Sequence, residues 1–249
     1  MTEPEKRRRR RLDFLVARLT GVTRKEAKQL IKAGRVAIEG HEDGNLRAQT
    51  RVGVEEAIFL DGEQLERESG ERYLMLHKPA GVVSATKDDY DPTVLDLLAP
   101  EMRRGLHPVG RLDKDTTGLL LLTTDGEWSH RITSPRHGFP KTYRVRVADP
   151  IDDATLTSLE EGIMLRGEDT AAVAHDIERL GEAELRLTLT QGRYHQIKRM
   201  MGAVGNRVTR LHRERVGPID LDPELEPGGY RELSEAEVNA FLPMVDQPQ

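Results

Sequence analysis

The chain has 249 residues, no cysteine and a formal net charge of −5. Such a length fits one large domain, or two of which one is small. The missing cysteines exclude disulfides, thiolate metal sites and a cysteine nucleophile, and suit a reducing cytoplasm. No apolar run approaches the roughly 20 residues of a membrane span, so no membrane partner is expected. Net acidity argues against a nucleic-acid binder, but the charge is segregated. Residues 131–148 hold no Asp or Glu, yet carry Arg131, Arg136, Lys141, Arg144 and Arg146. Residues 185–213 are also free of carboxylates and carry Arg186, Arg193, Lys198, Arg199, Arg207, Arg210 and Arg213. A local positive field, more than the sum, attracts phosphate.

In chain order, "MTEPEKRRRRRLDFLVARL" has no apolar core and no cleavage site, so no signal peptide is expected. The run Arg7 to Arg11 reads as a mobile arm. Leu12, Leu15, Val16 and Leu19 then recur at helical spacing. A second helix follows, with Thr23 as N-cap, Glu26 completing a capping box and Gly34 at the left-handed stop. Ala27, Leu30 and Ile31 form its apolar face; Arg24, Lys28 and Lys32 form a basic stripe on another. "RVAIEG" is a short strand, and "DGEQLERESGERY" (61–73) reads as a linker with the boundary near residue 70.

Beyond it, "RYLMLHKPAGVVSA" (72–85) is an apolar strand broken at Lys-Pro-Ala-Gly. "DPTVLDLLAP" (91–100) reads as a short helix that Asp91 could cap. Asp115 to Gly118 reads as a turn before a buried strand, Leu119 to Leu122. "KTYRVRVADP" alternates, placing Tyr143, Val145 and Val147 inward and Arg144 and Arg146 outward. "AELRLTLTQG" alternates likewise, and "HQIKRMMGAVG" is a helix with Ile197, Met200, Met201 and Val204 on one stripe. Strands outnumber helices without strict alternation, which predicts α+β with a mixed, mostly antiparallel sheet.

No Walker loop, strand-linked GxGxxG, HExxH or GxSxG is present, and His130 and His137 lack a third metal ligand. Asp113 remains. By composition alone it reads as a turn aspartate. Arg111, two residues away, projects to the same side of an extended segment. Nearby cations keep a carboxylate ionised, and an ionised, partly desolvated carboxylate is a competent nucleophile or base.

"HPVGRLDKDTTGLLLLTTDGEWSHRITSPRHGFPKTY" (107–143) resembles the signature of the pseudouridine synthases, closest to the RsuA-like group that acts on 16S ribosomal RNA. "QGRYHQIKRMMGAVGNRVTRLHRERVG" (191–217) and "LHKPAGVVSAT" (76–86) are similar to two further motifs of that family, with His77 where Asn is common. "TRKEAKQLIKAGRVAIEG" resembles the S4 RNA-binding module, with Phe14 departing from its usual basic residue. The resemblance implies an S4-like domain at 9–68 and a catalytic domain at 72–242. It makes Asp113 the catalytic aspartate, Lys198 its basic partner, Tyr143 the active-site tyrosine and Arg111 the arginine that helps extrude the base. The implied reaction isomerises one uridine of 16S ribosomal RNA without cofactor or metal. Asp113 acts either by attacking C1′ or by removing the 2′ proton. Arg24, Lys28, Lys32, Arg131, Arg136, Lys141, Arg193 and Arg199 are the candidate RNA contacts. The implied partner is ribosomal RNA, in a small-subunit assembly intermediate, and the implied state is a monomer. The competing readings are the same chemistry on 23S ribosomal RNA, a non-catalytic assembly factor, and a glycosidase, which needs a second carboxylate opposite the first.

Overall fold

A computed structural model describes residues 9–41, 46–53, 56–65 and 70–242. The chain divides into two compact units. The first holds the described residues up to Gly70 together with Pro100–Gly105; the second holds Glu71–Ala99 and the chain from Leu106. No described helix is long and apolar enough to cross a membrane.

The first unit contains β1 (Arg10–Arg11), α1 (Leu12–Thr20), α2 (Arg24–Lys32), β2 (Val36–Ile38), β3 (Arg51–Val52), β4 (Ile58–Leu60) and β5 (Glu63–Gln64). Leu12, Leu15, Val16 and Leu19 of α1 pack with Ala27 and Ile31 of α2 on Val36, Ile38, Val52 and Ile58. The capping box closes as the sequence predicts. Thr23 Oγ1 accepts from the Glu26 amide at 3.2 Å, and Glu26 Oε2 accepts from the Thr23 amide at 2.7 Å. Gly34 ends the helix at φ 71, a value that suits glycine.

Two expectations change here, and one buried ion pair comes into view. The arginine run is not a loose arm where it is described: Arg10–Arg11 pairs with Arg51–Val52, and Arg9 ion-pairs with Glu56 at 3.1 Å. Arg7 and Arg8 lie outside the described residues. The expected linker begins as a strand, because Glu63–Gln64 pairs with β4; residues 66–69 lie outside the described residues. Asp13 of α1 is completely buried between Arg11 (3.0 Å) and Arg24 (2.9 Å). Burial works to raise its pKa, but hydrogen bonds and charge from the two guanidinium groups outweigh it and hold the carboxyl below its ordinary value.

The second unit is built on one sheet of nine strands, ordered β10-β11-β9-β12-β8-β6-β14, with β13 on β12 and β7 on β8. These are β6 (Tyr73–Lys78), β7 (His107–Pro108), β8 (Thr117–Thr123), β9 (Lys141–Val147), β10 (His175–Gly181), β11 (Glu184–Leu189), β12 (Val208–Val216), β13 (Ile219–Asp220) and β14 (Tyr230–Glu232). Only β12 and β8 run parallel, so the sheet is mixed and mostly antiparallel. The helices are α3 (Gly126–Thr133), α4 (Asp153–Glu161), α5 (Gln196–Ala203) and α6 (Glu235–Asn239). Val145, Val147, Leu185, Leu187 and Leu189 pack against Leu159 of α4 and Ile197, Met200 and Met201 of α5. Leu119 and Leu121 pack with Trp128 and Ile132 of α3.

Two local readings are corrected. Residues 94–97 form one 3-10 turn, and Thr93, not Asp91, caps it with Asp96 in a capping box. Asp91 precedes Pro92, which favours extended backbone there; its carboxylate binds Lys114 at 2.6 Å instead. Gly118 belongs to β8, not to a turn. It sits at φ 107, where a Cβ would stand 2.2 Å from the Arg213 carbonyl oxygen, so only glycine lets β8 and β12 approach.

Candidate active site

The site lies on the loop that enters β8. His107–Pro108 pairs antiparallel with Leu122 and Thr123, and the Val109 amide donates to Leu121 O at 2.8 Å. β12 pairs with the other end of β8, at Thr117 and Gly118. The loop between, residues 110–116, therefore starts and finishes on one buried strand.

Residues 78–84 fix it from the side. Ser84 Oγ donates to Leu112 O at 2.9 Å and accepts from the Leu112 amide at 3.0 Å. The Gly81 amide donates to Lys114 O at 2.8 Å. Lys78, 0% exposed, donates Nζ to Thr116 O at 2.8 Å and Pro79 O at 3.0 Å. Burial pushes its pKa down to about 8, against the pull of Asp115 and Asp113. The Lys-Pro-Ala-Gly break is thus a clamp on the Asp113 loop. The Thr116 amide closes the turn onto Asp113 O at 3.0 Å.

Asp113, with 29% of its side chain exposed, meets a lysine from the first turn of α5 and the histidine that precedes that helix. Lys198 Nζ lies 2.9 Å from Oδ2, and His195 Nε2 lies 3.3 Å from Oδ1. Lys198 also reaches Asp115 Oδ1 at 2.6 Å. Burial opposes charge on Lys198, but hydrogen bonds and charge from Asp115 and Asp113 win and raise its pKa. Partial burial works to raise the Asp115 pKa, but the Lys198 hydrogen bond and charge outweigh it and leave the pKa lowered. Arg111, Asp113, Tyr143, His195, Ile197 and Lys198 line a common cavity of about 100 Å³. A wider groove of about 770 Å³ is lined by Asp115, Arg144, Arg146, Arg210, His212 and Glu214, among others.

The structure therefore brings Arg111, Asp113, Tyr143 and Lys198 together. The sequence reading did not include His195, Asp115, Lys78 or Ser84 in the site. His195 carried a signal, since it falls off the apolar stripe of its helix.

The expected RNA contacts divide. Lys28, Lys32 and Arg136 are exposed and Arg131 partly so. Arg24 is exposed but shared with Asp13. Lys141 is partly buried, and burial followed by the Arg213 charge lowers its pKa. Arg193 and Arg199 are not open surface cations. Arg193 donates to Thr170 O at 2.6 Å and Ala171 O at 3.2 Å; Arg199 donates to Arg166 O at 2.7 Å and pairs with Glu168 at 2.8 Å. Arg199 ties the 166–171 loop to α5, and Arg193 ties it to the turn before that helix.

The acid-free stretches are also partly neutralised by residues just outside them. Glu214 binds Arg144 at 2.9 Å and Arg186 at 2.7 Å, and Glu184 lies 3.7 Å from Arg146. Arg213 is buried and donates to Leu119 O at 2.8 Å.

Residues 72–203 match the family described as RNA pseudouridylate synthase, and residues 10–42 match the S4 domain. The ribosomal small subunit pseudouridine synthase A of Escherichia coli is 45% identical over 232 residues, covering 93% of this chain and 100% of that protein. Its counterpart in Vibrio cholerae is 46% identical over 230 residues, covering 92% and 97%. A crystal structure of a pseudouridylate synthase aligns with a TM-score of 0.69 at 41% identity, covering 93% of this chain and 99% of that one. Sequence and fold agree along nearly the whole length, and this chain belongs to the RNA pseudouridylate synthases with an S4 domain near its N-terminus.

Proposed function

We propose that this protein isomerises one uridine of 16S ribosomal RNA, in the small ribosomal subunit, to pseudouridine, with Asp113 acting at the ribose. The seating of Asp113 carries the reading. It is a half-open carboxylate on a clamped loop, with Lys198 at 2.9 Å and Tyr143 and Arg111 lining the same cavity. The small-subunit relatives support the choice of RNA, being named for that subunit at 45–46% identity.

The chemistry needs no net gain or loss of atoms. The N1–C1′ bond breaks, the uracil turns, and C5 bonds to C1′; C5 then loses the proton that N1 gains. The base must first leave its stack, at a cost of a few kcal/mol. Among the described residues the Arg111 guanidinium has no hydrogen-bonding partner and is exposed, which suits it to filling the vacated space or holding a phosphate. Lys198, 2.9 Å away, orients Asp113. Tyr143 offers a ring for the uracil. In the S4-like domain, residues 9–68, Lys28 and Lys32 suit phosphate; in the catalytic domain, residues 72–242, Arg131 and Arg136 do. The natural substrate is a small-subunit assembly intermediate in the cytoplasm, and the enzyme works as a monomer.

The experiment maps pseudouridine across ribosomal RNA from cells with the protein, without it, and with Asp113→Asn. One 16S position should lose the modification in the last two. A lost position in 23S RNA moves the substrate; full modification by Asp113→Asn removes the assignment of Asp113.

A further inference from the structure

We propose that His195, braced by Tyr194, is a positioning residue that fixes the second oxygen of Asp113. The inference rests on the reading of Asp113 as the catalytic carboxylate. The Lys198 contact is to Oδ2, at 2.9 Å. A carboxylate gripped at one oxygen can still turn about its Cβ–Cγ bond, since that torsion is broad. His195 supplies the missing hold, with Nε2 at 3.3 Å from Oδ1. A proton on Nε2, present in the charged ring and in one of the two neutral tautomers, lies within reach of Oδ1. His195 leads into α5 and Lys198 lies in its first turn, so one rigid element grips both oxygens.

Two observations fix the imidazole in this place. The backbone of His195 stands at φ 47, a left-handed conformation that residues other than glycine seldom adopt. Its ring is stacked on Tyr194, with centroids 3.8 Å apart and planes 18° from parallel. Tyr194 is 77% exposed, so a ring otherwise in solvent covers one face of the imidazole. That contact limits ring rotation, and the other members of the site do not supply it.

The left-handed backbone offers a rival explanation, a purely conformational role at the start of α5. Two amides separate the readings. The Gln side-chain nitrogen reaches about as far as imidazole Nε2, whereas the Asn nitrogen reaches only as far as Nδ1. Asn, however, tolerates left-handed backbone better than Gln.

The assay is single-turnover conversion of 16S ribosomal RNA with enzyme in excess, alongside RNA affinity and melting temperature for each variant. His195→Ala and His195→Asn should lose about tenfold or more in rate at unchanged affinity, and His195→Gln should recover most of it. Tyr194→Phe should match the parent, and Tyr194→Ala should be slower. Parent-like rates for His195→Asn with a slow His195→Gln would make the role conformational and overturn the proposal. So would a parent-like His195→Ala. If His195→Ala melts early, the Gln and Asn pair still decides. Asp113→Asn runs in parallel: if it is active, the underlying reading fails; if it is inactive beside a fully active His195→Ala, only the inference about His195 fails.

Discussion

Lys198 Nζ stands between two carboxylates of one loop, 2.9 Å from Asp113 and 2.6 Å from Asp115. The shorter contact is to the more exposed partner: the Asp115 side chain is 72% exposed, that of Asp113 29%. A pair that solvent screens contributes less than one partly withdrawn from it. The longer contact is therefore the better shielded one, and under the role proposed for Asp113 it is the one that bears on the chemistry.

Lys198→Ala should lower the single-turnover rate by about 30-fold or more if Asp113 is the reacting carboxylate, because a charged hydrogen bond to it is worth roughly 2 kcal/mol. RNA affinity should change little. Lys198→Arg should retain part of the rate. The measurement is rate and affinity on the same RNA; weak binding with normal turnover would contradict the role.

Asp115→Asn should change the rate by no more than about threefold, since it removes a screened competitor for Lys198 and leaves Asp113 in place. The same assay checks it. A loss as deep as that of Asp113→Asn would mean that both carboxylates act in the reaction, as in a glycosidase.

The parts of the fold that were legible in the sequence are those whose cause is local. The capping box of α2 is written in Thr23 and Glu26, the α5 core stripe in Ile197, Met200 and Met201, and the buried β8 in its leucines. What stayed hidden depends on partners far along the chain. Lys78 reads as a strand-ending polar residue, because Thr116 O, its acceptor, comes 38 residues later. Gly118 reads as a turn residue until β12 is laid beside it. Arg193 and Arg199 read as open cations until Glu168 and the carbonyls around it claim them. In the site, spacing alone joined Arg111 to Asp113. Only the resemblance to the synthases linked that loop to Tyr143 and Lys198, and His195 showed only as a polar residue off the apolar stripe of residues 195–205.

Gly118→Ala should destabilise the second unit by about 3 kcal/mol or more. The new Cβ would lie 2.2 Å from a backbone oxygen of β12, at φ 107. Strain and overpacking then add, and backbone cannot give as a side chain can. Urea denaturation should show a lower midpoint. An unchanged midpoint would mean that β8 and β12 separate at no cost.

Asp13→Ala should destabilise the first unit by about 2 kcal/mol, since it removes the charge-assisted hydrogen bonds that Arg11 and Arg24 make to this buried carboxylate. The parent also has a pH signature. The folded pKa of Asp13 is depressed, so its contribution is complete above the unfolded value near 4 and is lost as pH falls through the folded one. The gap between parent and Asp13→Asn should therefore narrow on acidification below about pH 4. Thermal melts of both proteins across that range check it.

Lys78 gives the opposite slope at the alkaline end. Its folded pKa is about 8 against an ordinary 10.5. Between those values the unfolded chain holds a proton that the folded chain has released, so stability contributed by this group rises with pH through that window. Below about pH 8 the folded protein carries a charged amine in its core, made tolerable by the carbonyls of Pro79 and Thr116. Lys78→Met removes both the cost and those bonds, and it frees the loop that carries Asp113. The parent should gain stability relative to Lys78→Met from pH 8 to 10.5, measured as the difference in unfolding free energy at each pH. At pH 7 the variant should turn over more slowly than its stability alone explains, because the carbonyls that Lys78 gathers belong to the turn holding Asp113. A flat difference across the window would mean that the amine stays charged in the core.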